Sequence, residues 1–261
     1  MMPPGKRGGH PAAVSLRGRP RGGEWGGERE TIMPAIERAV IRAFACVVAL
    51  GLGGLAPAAA GDAVPLGPDS VEPVNVEVAA VEYDGKAALR LTEKPGVAVE
   101  ADSLAVIPGL VFADGTIEVE VAGVPRADAF EGARGFVGIA FRLQKDPSKY
   151  ECFYIRPKNG RAEDQLRRNH STQYVSHPDF PWHRLRKETP GAYESYVDLA
   201  PGEWTRLKVV VAGTEARLFV HDAEQPCLIV KDLKLGDSEG AIALWIGAGT
   251  EGHFANLRVT R

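Results

Sequence analysis

The chain has 261 residues, with 31 Lys and Arg against 34 Asp and Glu, which gives a formal net charge of −3. Without residues 1–60 the balance becomes 23 basic against 30 acidic residues, and this acidic surplus argues against nucleic acid as the main partner. About 200 residues then remain, which is enough to bury the core of one large domain.

The first 60 residues have the pattern of a targeting segment. Residues 1–32 are rich in Gly, Pro and Arg, and we predict a disordered extension because such a composition cannot bury a core; Met33 is an alternative start of translation. Residues 33–60 are predicted to be a signal peptide, since two arginines precede the apolar run Ala43–Leu55 and small residues follow at Ala58–Ala60. That run is shorter than the ~20 residues of a spanning helix. We therefore expect no stable membrane span after cleavage and an exported protein, periplasmic or extracellular; an uncleaved anchor is the alternative.

The rest of the chain consists of short apolar runs separated by turn residues. Residues 61–73 are predicted to be a Pro-rich linker, with the edge of a leading strand as the alternative. Residues 74–261 show no sustained helical period. The predicted strands are Val74–Ala80, Ala87–Thr92, Val97–Ala101, Leu104–Ile107, Thr116–Val121, Phe136–Leu143, Tyr150–Arg156, Glu203–Val211, Glu215–His221, Cys227–Lys231, Ala241–Gly247 and His253–Thr260. This pattern predicts an all-β domain over residues 74–261, a jelly-roll sandwich of two antiparallel sheets.

Alternation along the strands predicts which faces are buried. In Phe136–Leu143, the core face includes Val137 and Ile139. The opposite faces of this strand, of Tyr150–Arg156 and of Ala241–Gly247 combine small residues with aromatic rings and arginine. If the three strands share a sheet, these faces form a trough that suits the C–H faces and hydroxyls of a sugar. The residues of the predicted trough are Gly138, Ala140, Ala243, Tyr150, Tyr154, Trp245, Arg142 and Arg156.

The segment Tyr150–Tyr196 differs from the rest of the chain. It holds five of the six tyrosines and three of the six histidines. Because loops carry function while strands carry the core, we expect this long polar insert to fold across the trough and surround a saccharide.

Several segments resemble the concanavalin A-like lectin/glucanase superfamily. They are FADGTIEVEVAG, GFVGIAFRLQ, YECFYIRP, EWTRLKVVVAGTEARLFV and GAIALWIGAGTEGHFANLRVTR. Within the superfamily, the chain from Val74 to Arg261 is most similar to the domain of unknown function 1080 group, which includes 3-keto-disaccharide hydrolases and 3-keto-glycoside lyases. The resemblance implies a curved jelly roll whose concave sheet faces carbohydrate. Since this scaffold carries several functions, three stay open: a sugar-active lyase or hydrolase, a non-catalytic glycan-binding module, and a structural or adhesion domain.

The chain departs from the glucanase branch of that superfamily. That branch places its catalytic carboxylates on a strand as E-x-D-x-x-E, and no segment here matches. Glu118 and Glu120 alternate along a strand and are predicted, like Arg206 and Lys208, to be ordinary outer surface. We therefore do not expect hydrolysis by two carboxylates.

Cleavage of a 3-keto glycoside needs a base for the acidic C–H beside the carbonyl, and a donor or cation for the enolate. His170 is the predicted base, with Arg168 or Arg156 stabilising the oxyanion. A polar loop with no catalytic role is the alternative. The residues predicted to bind substrate are Tyr150, Tyr154, Arg142, Asn169, Gln173, His177, Trp182 and Trp245.

No cofactor is expected. As an alternative, a divalent metal could use loop side chains, although their spacing fits no compact zinc motif. The side chains of that alternative are His170, His177, His183, Asp164 and Asp179. Whether Cys152 and Cys227 form a disulfide stays open, since export permits it but sequence does not give their separation.

Overall fold

The computed structural model describes residues 61–261; the predicted extension at 1–32 and signal peptide at 33–60 lie outside the described residues. The strands of the described region are β1 (Asp62–Ala63), β2 (Glu72–Val74), β3 (Val76–Tyr83), β4 (Lys86–Glu93), β5 (Ser103–Phe112), β6 (Gly115–Pro125), β7 (Val137–Leu143), β8 (Tyr150–Ile155), β9 (Thr172–His177), β10 (Glu194–Ser195), β11 (Thr205–Ala212), β12 (Glu215–Val220), β13 (Leu228–Val230), β14 (Gly240–Ile246) and β15 (Thr250–Thr260). The helices are α1 (Pro157–Gly160), α2 (Gln165–Asn169) and α3 (Trp182–Glu188), and a 3-10 turn covers Pro68–Ser70. Within residues 61–261, no helix has the length and apolar character needed to cross a membrane.

The strands form two antiparallel sheets. Sheet I has the order β13-β12-β11-β6-β15-β4-β3, and β1 pairs with β15, an interior strand of this sheet. Sheet II has the order β10-β9-β8-β7-β14-β5-β2. Neighbouring strands such as β6 and β15 are distant in sequence, which is typical of a jelly roll. The predicted all-β sandwich of two antiparallel sheets is therefore confirmed.

Apolar side chains from the two sheets meet in one core. On β7, Val137, Ile139 and Phe141 are fully buried, as their alternation predicts. The ring of Phe141 lies 6.4 Å from Phe112 and 6.1 Å from Phe153, measured between centroids. Full burial of one such side chain stabilises the folded state by roughly 1.5–3 kcal/mol. This cluster therefore holds β7 and β8 against the core.

The solvent face of sheet I has the charged surface that alternation predicts. Arg206 of β11 is paired with Glu120 of β6, and Lys208 with Glu118. Arg206 Nη2 lies 3.0 Å from Glu118 Oε1. The prediction that these four residues form ordinary outer surface is confirmed.

Residues 61–73 belong to the sandwich, so the linker prediction is wrong and the alternative of a leading strand edge is the better description. Strand β1 pairs with β15 in sheet I, and β2 pairs with β5 in sheet II. Both strands are too short for alternation to reveal them. The predicted strand Val97–Ala101 is wrong. Its apolar residues suggested a strand, but they lie in a turn, where Ala101 N donates to Ala98 O at 2.9 Å.

The polar insert is a structured part of sheet II. It contributes β9, which pairs with β8 from Tyr150–His177 to Ile155–Thr172, then α3 and the edge strand β10. Strand β9 reads TQYVSH, with polar residues on both of its faces, so its sequence lacks the alternation that predicts a strand.

Candidate functional site

One row of residues crosses the face of sheet II that points away from the core, called here the outer face. Registered pairs run from Trp245 to Gly138, Tyr154, Gln173 and Glu194. Registered partners in neighbouring strands project to the same side of a sheet. The row therefore brings together side chains from β14, β7, β8, β9 and β10.

Gly138 allows the two aromatic rings of this row to meet. A Cβ at Gly138 would lie 2.6 Å from Tyr154 Cα, so no larger residue fits there. Across this gap the rings of Tyr154 and Trp245 stack with centroids 4.7 Å apart. The predicted trough is thus occupied by the protein's own rings, and Ala140 and Ala243 of the neighbouring registered pair are fully buried. A ligand would meet the half-buried Trp245 rather than the small residues.

At the β10 end of the row, Glu194 contacts one arginine and one histidine side chain, Arg186 and His170; these three residues are called here the Glu194 cluster. Arg186 of α3 lies 2.7 Å from Glu194 Oε2, and His170 Nε2 lies 3.0 Å from Oε1. The carboxylate is 4% exposed, His170 is 16% exposed and Arg186 is 31% exposed. Burial lowers the pKa of His170; Glu194 acts to raise it, whereas Arg186 and Arg156 lower it further. Burial thus favours the neutral form of His170, and Arg186 places a cation on the same carboxylate.

Arg156 lies beneath this cluster and is used inside the protein. Its guanidinium donates to Tyr154 Oη at 2.8 Å, to Gln173 Oε1 at 3.1 Å and to the His170 carbonyl at 3.0 Å. Arg156 is 5% exposed. Burial raises the pKa of Tyr154 to about 12, so its hydroxyl stays protonated. The structure brings Tyr154, Arg156 and His170 together as predicted, but Arg156 orders the site from below instead of facing a ligand.

Arg142 does not lie in the row, and its predicted place in the trough is wrong. The residue has φ +51° at a bulge in β7. Its fully buried guanidinium donates to the carbonyls of Ala113, Gly213 and Gly236 and to Asp114 Oδ1. Gly213 belongs to the β11–β12 turn of sheet I. Arg142 therefore joins turns at one end of the sandwich, because the bulge reverses the alternation on which the prediction depended.

A second polar group lies further along β8 and β9; Asp102, Tyr150 and His177 are called here the Asp102 cluster. Tyr150 Oη donates to Asp102 Oδ1 at 2.5 Å, and His177 Nδ1 lies 3.3 Å from the same oxygen. The rings of Tyr150 and His177 stack at 5.0 Å. Trp245 Nε1 donates to Tyr150 Oη at 3.1 Å, which links this cluster to the row. Burial raises the pKa of Asp102 and lowers that of His177.

The remaining predicted site residues lie around the Glu194 cluster. Trp182 is 45% exposed, and the Arg186 guanidinium lies 4.8 Å from its ring centroid. Arg168 Nη2 donates a hydrogen bond to Tyr196 Oη at 2.9 Å. Asn169 is exposed and accepts a hydrogen bond from Gln165. Of these, Trp182 offers the largest open apolar surface.

Sequence reasoning missed Glu194, Arg186 and Asp102. Trp182 and Arg186 are four residues apart, so a predicted helix would have placed them on one face. No local pattern marks Glu194 or Asp102. Glu194 reaches the site because β10 pairs with β9, and Asp102 reaches it because it lies in the loop before β5.

The metal alternative finds no support in the geometry. No group of three or more His, Cys, Asp or Glu side chains placed to hold a metal occurs among the described residues. His170 and His177 pair with different carboxylates. Cys152 and Cys227 are both free thiols.

The fold is an all-β jelly-roll sandwich of two antiparallel sheets, and the site lies on the face of sheet II that points away from the core. No family model and no curated protein matches the chain. Among solved structures, the carbohydrate-binding module CBM66 from Bacillus subtilis is similar, with a TM-score of 0.52, 14% identity, and coverage of 74% of this chain and 96% of that one. A protein of unknown function with a galectin-like fold, also from Bacillus subtilis, has a TM-score of 0.49, 14% identity, and coverage of 77% and 96%. At such identities the first likeness establishes the fold alone.

Proposed function

We propose that the outer face of sheet II binds carbohydrate. The observation that carries the proposal is the set of accessible groups at the two ends of the row: the half-buried Trp245 at one end, and the open ring of Trp182 with the cation of Arg186 at the other. Tyr154 and Gln173 between them are buried and support these groups from below. Aromatic faces pack on the C–H surface of a sugar, and charged groups that keep free donors or lone pairs bond its hydroxyls. The module of similar fold from Bacillus subtilis is named for binding carbohydrate, which supports this proposal.

Affinity electrophoresis of the full chain through gels containing a panel of neutral polysaccharides tests binding. Trp182→Ala removes an exposed ring and should weaken retardation about threefold to tenfold, since an aromatic contact is worth about 0.5–1.5 kcal/mol. Ile229→Ala is the matched control, because Ile229 is equally exposed at 45% but lies on β13 of sheet I. If no polysaccharide retards the wild type, or if Trp182→Ala and the control migrate alike, the outer face does not bind glycan and a structural or adhesion role is favoured.

A second candidate function, cleavage of 3-keto glycosides, is favoured by the two imidazole–carboxylate pairs on this face. A base would take the proton from the carbon between the keto carbon and the anomeric carbon. The electron pair would form an enolate and then expel the glycosidic oxygen, which takes a proton from an acid, leaving an unsaturated keto sugar and a free alcohol. This activity is the one that the resemblance to the domain of unknown function 1080 group implies.

The two histidines differ in how they are oriented for this chemistry. Asp102 lies at Nδ1 of His177 and leaves Nε2 free, as in other carboxylate–histidine pairs that act as bases. Glu194 lies at Nε2 of His170 and also binds Arg186. His177 thus joins His170 as a candidate base, and Arg186 replaces Arg156 as the cation open to an oxyanion.

Incubation of the full chain with ordinary and 3-keto disaccharides, with and without a chelator, separates the two functions. Cleavage of the keto form alone, accompanied by deuterium exchange at the carbon beside the carbonyl, supports the enzyme. Loss of exchange in His177→Ala or in His170→Ala identifies the base. Binding of the ordinary disaccharide with no turnover of either sugar leaves a glycan-binding module.

We also propose export of the protein, on the strength of the targeting pattern in residues 33–60. N-terminal sequencing of the chain recovered from the periplasm or medium should begin near Gly61. Recovery of the intact N-terminus from the cytoplasm would contradict export.

A further inference from the structure

A cleft lies at one end of sheet I, away from the outer face of sheet II. Its volume is about 680 Å³, within the range of roughly 300–1,000 Å³ of small-molecule sites. Its floor is a row formed by Glu77, Thr92 and Glu251, which are registered partners on β3, β4 and β15. Leu91 beside Thr92 is fully buried in the core, so by alternation the row faces outward. The cleft therefore opens on the opposite side of the sandwich from the Glu194 cluster.

Two loops line the sides of the cleft with apolar side chains. Val99 in the β4–β5 loop is 58% exposed, and Phe130 in the β6–β7 loop is 47% exposed. The turn at Gly249 positions the second wall: its φ is +69°, and a Cβ there would lie 2.9 Å from Ala129 Cβ and 3.5 Å from Phe130 Cδ1. The absence of a side chain at Gly249 lets the Phe130 loop pack closely against the β14–β15 turn, while about half of the Phe130 surface stays exposed.

The polar side chains of the cleft fall into two groups. Arg126 is held by Asp128 through bonds of 3.0 and 2.7 Å, and Glu93 accepts from Gly249 N at 2.7 Å. These contacts build the walls. Two cations and a carboxylate of the lining make no side-chain hydrogen bond or ion pair with any described residue. They are Arg90, Lys94 and Glu77.

We propose that this cleft is a second binding site, for a neutral saccharide. Unpaired donors and acceptors lie in one cleft beside an open aromatic ring, and a sugar offers both hydroxyls that donate and accept and a C–H face that packs on a ring. A simple anion would be repelled by Glu77 and Glu251, and a simple cation by Arg90 and Lys94. The inference is independent of the proposed function, because it uses no residue of sheet II. With both sites the chain would bind a polymeric glycan at two points, which strengthens retention by raising the effective concentration at the second site.

Protein-observed NMR on the ¹⁵N-labelled full chain tests the cleft directly. The probes are glucose, galactose, mannose, xylose, arabinose and fructose, with glucuronate and inorganic phosphate as anionic comparisons. At least one neutral sugar should shift the amide signals of Phe130 and Gly249. Phe130→Ala should weaken this response about threefold to tenfold, Arg90→Gln should weaken it as well, and Ile229→Ala should leave it unchanged.

The outcomes separate this inference from the proposed function. Shifts at Phe130 and Gly249 with the Trp245 indole signal unmoved support the cleft and count against the outer face of sheet II. Shifts at Trp245 alone, or no shift with any neutral sugar, overturn the cleft. A stronger response to glucuronate or phosphate than to every neutral sugar also overturns it, since the charge argument would then be wrong.

Discussion

The substitution Glu194→Gln tests the central contact of the candidate site. It keeps the shape of the side chain but removes the charge that holds Arg186 and His170. Breaking a buried ion pair by removing one partner costs about 3–5 kcal/mol. Because Arg186 is 31% exposed and can turn to water, we expect a loss of about 2–3 kcal/mol in the free energy of unfolding.

A matched control exists on α3, the helix that carries Arg186. Glu188 pairs with Arg184 at 2.8 Å, but both side chains are well exposed, at 50% and 42%. Glu188→Gln should therefore cost only about 0.3–0.5 kcal/mol, as exposed pairs on one helix do. Urea unfolding followed by tryptophan fluorescence measures both variants against the wild type.

The same variant should change the titration of His170. Glu194 acts to raise the pKa of His170 while burial and the two arginines lower it. Removing the carboxylate charge should lower that pKa further, which NMR titration of the folded protein measures. Equal unfolding costs for Glu194→Gln and Glu188→Gln, or a rise in the pKa of His170, would refute the reasoning.

Three further perturbations follow from the structure. Arg142→Met leaves three carbonyls and a carboxylate without their shared donor and should cost about 3–5 kcal/mol by urea unfolding; a loss below about 1 kcal/mol would contradict the turn-joining role. Gly138→Ala places a Cβ 2.2 Å from Phe153 O and should abolish the near-UV circular dichroism of the stacked rings, whereas an unchanged spectrum would disprove the close approach. Burial lowers the pKa values of His170, His177 and His253. Just below pH ~6.5 the unfolded chain therefore binds more protons than the folded protein. The free energy of unfolding should fall as the pH drops through that window. A chemical-denaturation series that shows constant or rising stability there would contradict the burial of these imidazoles.

Much of the scaffold follows from local sequence. Strand β7 and its core face, with Val137 and Ile139, follow from alternation, because side chains of a strand with one buried face must repeat every second residue. Local pattern also places Tyr154 on β8 and Arg156 directly after the end of that strand. It fails at Arg142, where a bulge reverses the alternation, and at β9, where polar residues occupy both faces.

The assembly of the site depends on the tertiary structure. Asp102 meets Tyr150 across 48 residues of chain, and Glu194 reaches the row only because β10 pairs with β9 and β9 with β8. The register between strands that are distant in sequence depends on core packing and turn geometry throughout the sandwich. A short stretch of sequence does not contain that information. The sequence by itself therefore determined the class of fold and the residue types of one face. The three-dimensional pairing decided which carboxylate holds which histidine.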